Sequence, residues 1–466
     1  MNLLKGYIVP HPPILVMGTE GEKAKIEATQ KAYEEISKEI GTSDADIVVL
    51  ITPHGPVFVD GLCVYDGNRI SGDFSRFGHR EITGIWDNDL EYIEKLQEKA
   101  TAHDITLVKI DDDLMNTFNI PDALDHGAMV PLHMLAQGLS DKKIVVINYG
   151  LLPVETLYQF GQLITETLEE QHKKGIVIAS GDLSHYLSED GPYGFREEGE
   201  AFDKAYVQAF EKGDWESLLF VEKHLLVQAG ECGKRSIEIL LGAFDRVAYS
   251  TDKLSYEAPF GVGYMVGRLS PEAETASRFD GVVKRHQEIL QHHRANEGDV
   301  VKLARKAIEI YLRDGYVYRP EDRLEIEASG RRSGVFVSLK DSGGLRGCIG
   351  STGGIAPTVE EEIVEMAVKA ATRDPRFDPV SFEELEGLTI SVDILSPSEP
   401  VEDRATLDPK KYGVIVSSGH KQGLLLPDLE GIDTIEEQIS IALNKAGIDP
   451  LNEVYQVYKF TVKRYY

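Results

Sequence analysis

Three apolar runs constrain the fold of this chain more than any other feature: IVVLITPHG (47–55), KKIVVINYG (142–150) and GIVIASGDLSH (175–185). Each is a strand-length block of β-branched residues without polar alternation, which predicts strands buried on both faces. Between such runs lie stretches of helical length, for example GEKAKIEATQKAYEEISKEI and VETLYQFGQLITETLEEQHKK. Buried strands alternating with long helices pack as an α/β domain with a mainly parallel central sheet. LKGYIVP near the start and SYEAPFGVGYMVGRL (255–269) add strand-like runs and place this domain at residues 1–270.

The histidines fall where that architecture makes them meaningful. In YIVPHPP, prolines end the strand and push His11 to extended backbone geometry. His54 follows IVVLITP, and His185 follows IVIASGDLS. Three separate strands therefore each deliver a histidine at or beyond the carboxyl end, the edge where open α/β sheets bind ligands. A fourth, His126, lies in DHGAMVPLHML ahead of a predicted helix, and His133 seven residues on is expected to pack or face solvent.

A carboxylate candidate accompanies them. In QAGECGKRSIEILLGAF, Glu231 occupies a glycine-flanked turn before an apolar-periodic helix. It reads either as an acid complementing the helix dipole or as the partner of two neutral imidazoles, a donor set that suits Fe(II) and leaves positions open.

From residue 271 to 299 the text turns polar and reads as a connector with a helical piece, its His292-His293 pair being a solvated linker pair. Residues 300–466 follow a different pattern: a helix (VKLARKAIEIYLRDG), strand-like GVFVSLKDSGGLRGCIG, a helix through TVEEEIVEMAVKAATRD, and then further strands. That predicts an α+β domain with its own core. Within it, Arg346 and Cys348 read either as a small anion- or substrate-binding surface with an activated thiol or as a turn whose cysteine fills a gap.

Composition excludes several function classes. The net charge of −29 repels nucleic acid and anionic membranes. Three widely spaced cysteines, Cys63, Cys232 and Cys348, give no disulfide framework or zinc cluster, which points to a reducing cytoplasm. Neither a signal peptide nor an 18-residue apolar span is expected. P-loop and HExxH patterns are absent, and GVGYMVG lacks dinucleotide-fingerprint spacing.

Taken as a set, PHPP, TPHG, DHG-x-x-VPL, SGDLSH and SYEAPFGVGY resemble a class III extradiol ring-cleavage dioxygenase domain over residues 5–270. They are also similar to the Memo-type branch of that superfamily. The resemblance implies Fe2+ held by His11, His54 and Glu231, with His126 and His185 as acid/base and oxygen-interacting groups. Memo-type proteins carry cysteine followed by glycine at the third position, and Glu231-Cys232-Gly233 supplies both alternatives. GLRGCIG (344–350) and YGVIV…GLLLP resemble the AMMECR family over residues 300–466. The pairing resembles chains of the AmmeMemoRadiSam system protein A type, which implies a radical-SAM partner protein. The expected activity is dioxygenation of a catechol-like or vicinal-diol small molecule by O2. The alternative is a non-catalytic metal- or ligand-binding module serving that partner.

Overall fold

The computed structural model describes residues 2–58, 60–118, 120–341, 344–382, 384–427, 434–450 and 452–466. The chain divides into two compact units, Met1–Glu288 and Ile289–Tyr466.

The first unit begins with strands β1 (Leu3–Val9), β2 (Ile47–Thr52), β3 (Leu62–Tyr65), β4 (Arg69–Phe74), β5 (His79–Asp87) and β6 (Leu107–Ile110). It continues with β7 (Lys143–Asn148), β8 (Gly175–Ser180), β9 (Leu187–Ser188), β10 (Gly194–Phe195), β11 (Val247–Glu257) and β12 (Tyr264–Glu274). Eight of them form one sheet in the order β11-β12-β1-β8-β2-β7-β3-β6. The central four, β1, β8, β2 and β7, are mutually parallel. On one flank β12 is antiparallel to β1 and β11 to β12, and on the other the parallel pair β3 and β6 runs antiparallel to β7. The sheet is thus mixed, with four parallel strands at its centre.

Burial explains why the central runs are apolar throughout. On β2, Ile47, Val49 and Ile51 face one core while Val48 and Leu50 face the other. Each such side chain contributes about 1.5–3 kcal/mol on burial. Helices Leu90–Ala102, Val154–Glu170 and Lys234–Ala243 cover the first face. Helices Glu27–Thr42 and His126–Met134 cover the second. In Glu27–Thr42 the buried positions 29, 32, 33, 36, 37 and 40 form one helical stripe.

The polar segment after β12 contains the helix Phe279–Ala295, within which the division between units falls. Its start belongs to the first core: Arg278 donates to the carbonyls of Phe244 and Val247, and its backbone N–H to Asp245. His292 and His293 are exposed on its last turns.

The second unit is α+β. One sheet has the order β14 (Gly344–Ser351), β13 (Val335–Asp341), β15 (Thr389–Leu395), β20 (Val462–Tyr465). The other runs β16 (Glu399–Pro400), β19 (Gln456–Phe460), β17 (Gly413–Ser418), β18 (Lys421–Leu425). Helices Asp299–Asp314 and Val359–Thr372 pack on the first core and Ile435–Ala446 on the second. Among the described residues no helix is long and apolar enough to cross a membrane.

Candidate metal centre

The parallel alignment of β1, β2 and β8 places their carboxyl ends side by side, and the chain just beyond those ends builds the site. His11 follows β1 and is 1% exposed. His54 follows β2, and its Nε2 lies 2.9 Å from Nε2 of His11. His126 begins the helix His126–Met134, whose N-cap Asp125 accepts from the Ala128 N–H and the Thr52 hydroxyl. Its ring stacks on His54. His185 follows β8 and stacks on Tyr193, with ring centroids 5.2 Å apart.

The tautomer of His11 follows from its neighbours. Ser180 donates its single hydroxyl proton to the Gly127 carbonyl at 2.5 Å. Ser180 Oγ must therefore accept from Nδ1–H of His11, 2.9 Å away. That leaves a lone pair on His11 Nε2, facing His54 Nε2. Two nitrogens at such a distance share one proton or one cation.

The sulfur of Cys232 completes a group of three that could hold a metal ion. His11 Nε2, His54 Nε2 and Cys232 Sγ lie within 4.8 Å of one another, with Sγ 3.6 Å from His11 Nε2. Asp182, His185 and Cys232 form a second such group. Glu231 joins neither group among the described residues. Its Oε2 accepts the backbone N–H of Lys234 at 2.6 Å, satisfying an orphan donor at the start of the helix Lys234–Ala243. Of the two readings of Glu231, the structure displays the helix-terminal one.

Burial sets the charge of the site. It lowers His11 well below the ordinary histidine value, and His54 is lowered likewise. His126 and His185 are each held to about 4, chiefly by burial and then by His54. At neutral pH all four rings are uncharged, the form in which imidazole ligates a metal. Burial raises the Cys232 thiol, while a bound cation would deprotonate it. Two neutral imidazoles and one sulfur fit a transition metal: imidazole suits iron, copper and zinc, and thiolate adds preference for the softer ones.

Two groups were not singled out from sequence. Ser180 and Asp182 flank Gly181 in the SGD turn, and the Gly-Asp signal at a strand end marks that turn without revealing its partners. Phe77 and Tyr193 are 43% and 56% exposed, and touch His126 and His185 respectively. No periodicity identifies such rim aromatics. His133 is exposed and lies edge-on to Phe74.

In the second unit GLRGCIG is strand β14. Arg346 is paired with Glu384 and donates to the Asp378 carbonyl. Cys348 is partly buried, with its N–H on Asp374 and its sulfur 3.3 Å from the Ser338 hydroxyl.

Comparison with known proteins places these units. Residues 5–267 match the LigB family model, described as the catalytic LigB subunit of aromatic ring-opening dioxygenase, and residues 301–465 match the AMMECR1 model. Protein CA_C1420 of Clostridium acetobutylicum is 39% identical, covering 100% of this chain and 99% of its own length. A Thermotoga maritima protein is 52% identical over 170 residues, 36% of this chain and 98% of its own. An uncharacterized solved structure, PH0010 of Pyrococcus horikoshii, shares 36% identity over 35% of this chain and 88% of its own, with a TM-score of 0.32.

Proposed function

The chain belongs to the LigB family, joined to an AMMECR1 domain, and from that premise we propose that its first unit is a metal-dependent dioxygenase of the extradiol type. Its substrate is a small catechol-like or vicinal-diol molecule, with O2 as co-substrate and iron as the metal. The observation that carries the reading is the meeting of four neutral imidazoles and one sulfur, from five separate segments, at the carboxyl edge of the parallel strands.

His11, His54 and Cys232 would hold the metal. When bound, the metal supplies a redox-active Lewis acid that favours loss of a hydroxyl proton. His185 accepts that proton, since its ring is neutral, lies on the Asp182–Cys232 side of the site and is stacked in place by Tyr193. His126, also neutral, hydrogen-bonds oxygen, with the ring of Phe77 edge-on against it. Metal-free protein reloaded with Fe(II) without oxygen is expected to consume O2 in step with loss of a diol from a catechol panel. A loaded protein that neither binds a diol nor takes up O2 contradicts the reading.

A second reading is favoured by the sulfur at the third position. A Cys232 thiolate in place of a carboxylate suits softer metals, and the chain then serves as a metal-binding module beside a radical-SAM partner protein in the cytoplasm. Zinc or copper in protein purified without oxygen, together with co-purification of such a partner, supports this alternative.

A further inference from the structure

The three residues that follow the core of β8 touch two of the donors at once. Towards His11, Ser180 Oγ holds the ring at Nδ1, and Asp182 Oδ1 accepts the His11 backbone N–H at 2.9 Å. Towards Cys232, the Asp182 N–H donates to Sγ at 3.2 Å, and the Cys232 N–H returns to the Asp182 carbonyl. The backbones on the Cys232 side can come this close because two glycines meet. A Cβ on Gly181 would stand 2.0 Å from Cα of Gly233, nearer than any real carbon contact. Neither glycine has a positive φ. Close approach, not backbone conformation, is therefore what demands glycine here.

We propose that Ser180-Gly181-Asp182 is a positioning clip that couples His11 to Cys232, so that imidazole and sulfur reach the metal as one unit. Asp182 acts in it through the His11 backbone and the sulfur, and is not itself a donor to the metal. The proposal rests on the reading of His11, His54 and Cys232 as the ligands. It also assigns the Asp182 carboxylate a task that an uncharged oxygen can perform. The N–H on Sγ fixes the direction of the sulfur, and such outer contacts are worth about 10–100-fold in metal affinity.

Cobalt(II) titrated into the metal-free full chain tests this without recourse to activity. Wild type is expected to bind it with a near-ultraviolet sulfur-to-cobalt charge-transfer band. Asp182→Asn, which keeps an acceptor oxygen, retains the wild-type band and affinity, while Asp182→Ala weakens binding about 10–100-fold. Gly181→Ala loses the sulfur band while keeping the visible absorption of imidazole-bound cobalt. An Asn variant as impaired as the Ala variant overturns the proposal, because Asp182 then acts by its charge. An undiminished sulfur band in Gly181→Ala overturns it as well, while leaving the ligand assignment standing. If Gly181→Ala does not fold, the Asp182 pair decides. A wild-type protein without the sulfur band removes Cys232 as a ligand, and the clip falls with it.

Discussion

The imidazole of His54 lies flat against that of His126, with ring centroids 4.3 Å apart and planes 16° from parallel. One ring of this stack turns its Nε2 towards His11, while the other meets the edge of Phe77. Burial lowers both rings, and a charge on His54 would lower His126 further, so both stay neutral at pH 7. The stack thus joins an imidazole of a possible donor group to one that belongs to no such group among the described residues.

That division predicts two classes of histidine variant. His11→Ala and His54→Ala are expected to lose most bound metal while remaining folded. His126→Ala and His185→Ala are expected to keep it and lose turnover by about 10²–10⁴-fold. Metal analysis beside oxygen uptake separates the classes. Full turnover in His185→Ala would sink its role as proton acceptor.

At the third position, Cys232→Ala is expected to abolish sulfur scattering in the X-ray absorption spectrum of the metal-loaded protein and to weaken metal binding. Glu231→Gln keeps an oxygen for the Lys234 N–H and is expected to bind metal as wild type does. The reverse pattern would return the ligand role to Glu231.

Asp203, which belongs to neither donor group, gives a pH signature of its own. It is buried, accepts from the Ser184 N–H and the Tyr256 hydroxyl, and feels Glu231 nearby. Burial raises it from 3.8 to about 7, outweighing both hydrogen bonds. The folded state therefore holds a proton that the unfolded chain has released, so this group's contribution to stability falls as pH rises from 3.8 to about 7. Denaturant unfolding of Asp203→Asn should show a shallower decline across that interval than wild type. Identical slopes would mean that Asp203 titrates normally.

Gly161 and Gly242 let the helices Val154–Glu170 and Lys234–Ala243 touch backbone to backbone. A Cβ on Gly161 would stand 2.0 Å from the Ile239 carbonyl oxygen, and one on Gly242 1.9 Å from that of Tyr158. Either Gly→Ala change is expected to cost about 1–3 kcal/mol in equilibrium unfolding, as overpacking does. An unchanged midpoint would show that the helices can move apart freely.

Fragments 1–288 and 289–466 are each expected to unfold cooperatively, since each unit has its own core. A fragment ending at 270 should be less stable than 1–288, because it loses the three Arg278 bonds that close the first core. Equal midpoints for the two would count against that contribution.

His11, His54 and His185 were legible as one site because parallel strands share a direction. Once IVP, IVVLITP and IVIASGDLS are read as buried strands of one sheet, their carboxyl ends must lie along one edge, whatever the register. The same local logic marked the DHG segment of His126 as a helix start and separated the AMMECR1 region by its different strand grammar. The choice between Glu231 and Cys232 was not legible. Neighbouring side chains on a turn point apart, and which one faces the histidines depends on how the turn docks against Gly181 and Asp182, half a hundred residues away. The antiparallel placement of β3 and the tautomer lock of Ser180 on His11 likewise arise from long-range pairing. Period and turn chemistry act over a few residues, so they determined the strands, the helices and the edge. Only the packed structure, where segments distant in sequence exclude one another's volume and share protons, decided which side chains meet beside His11.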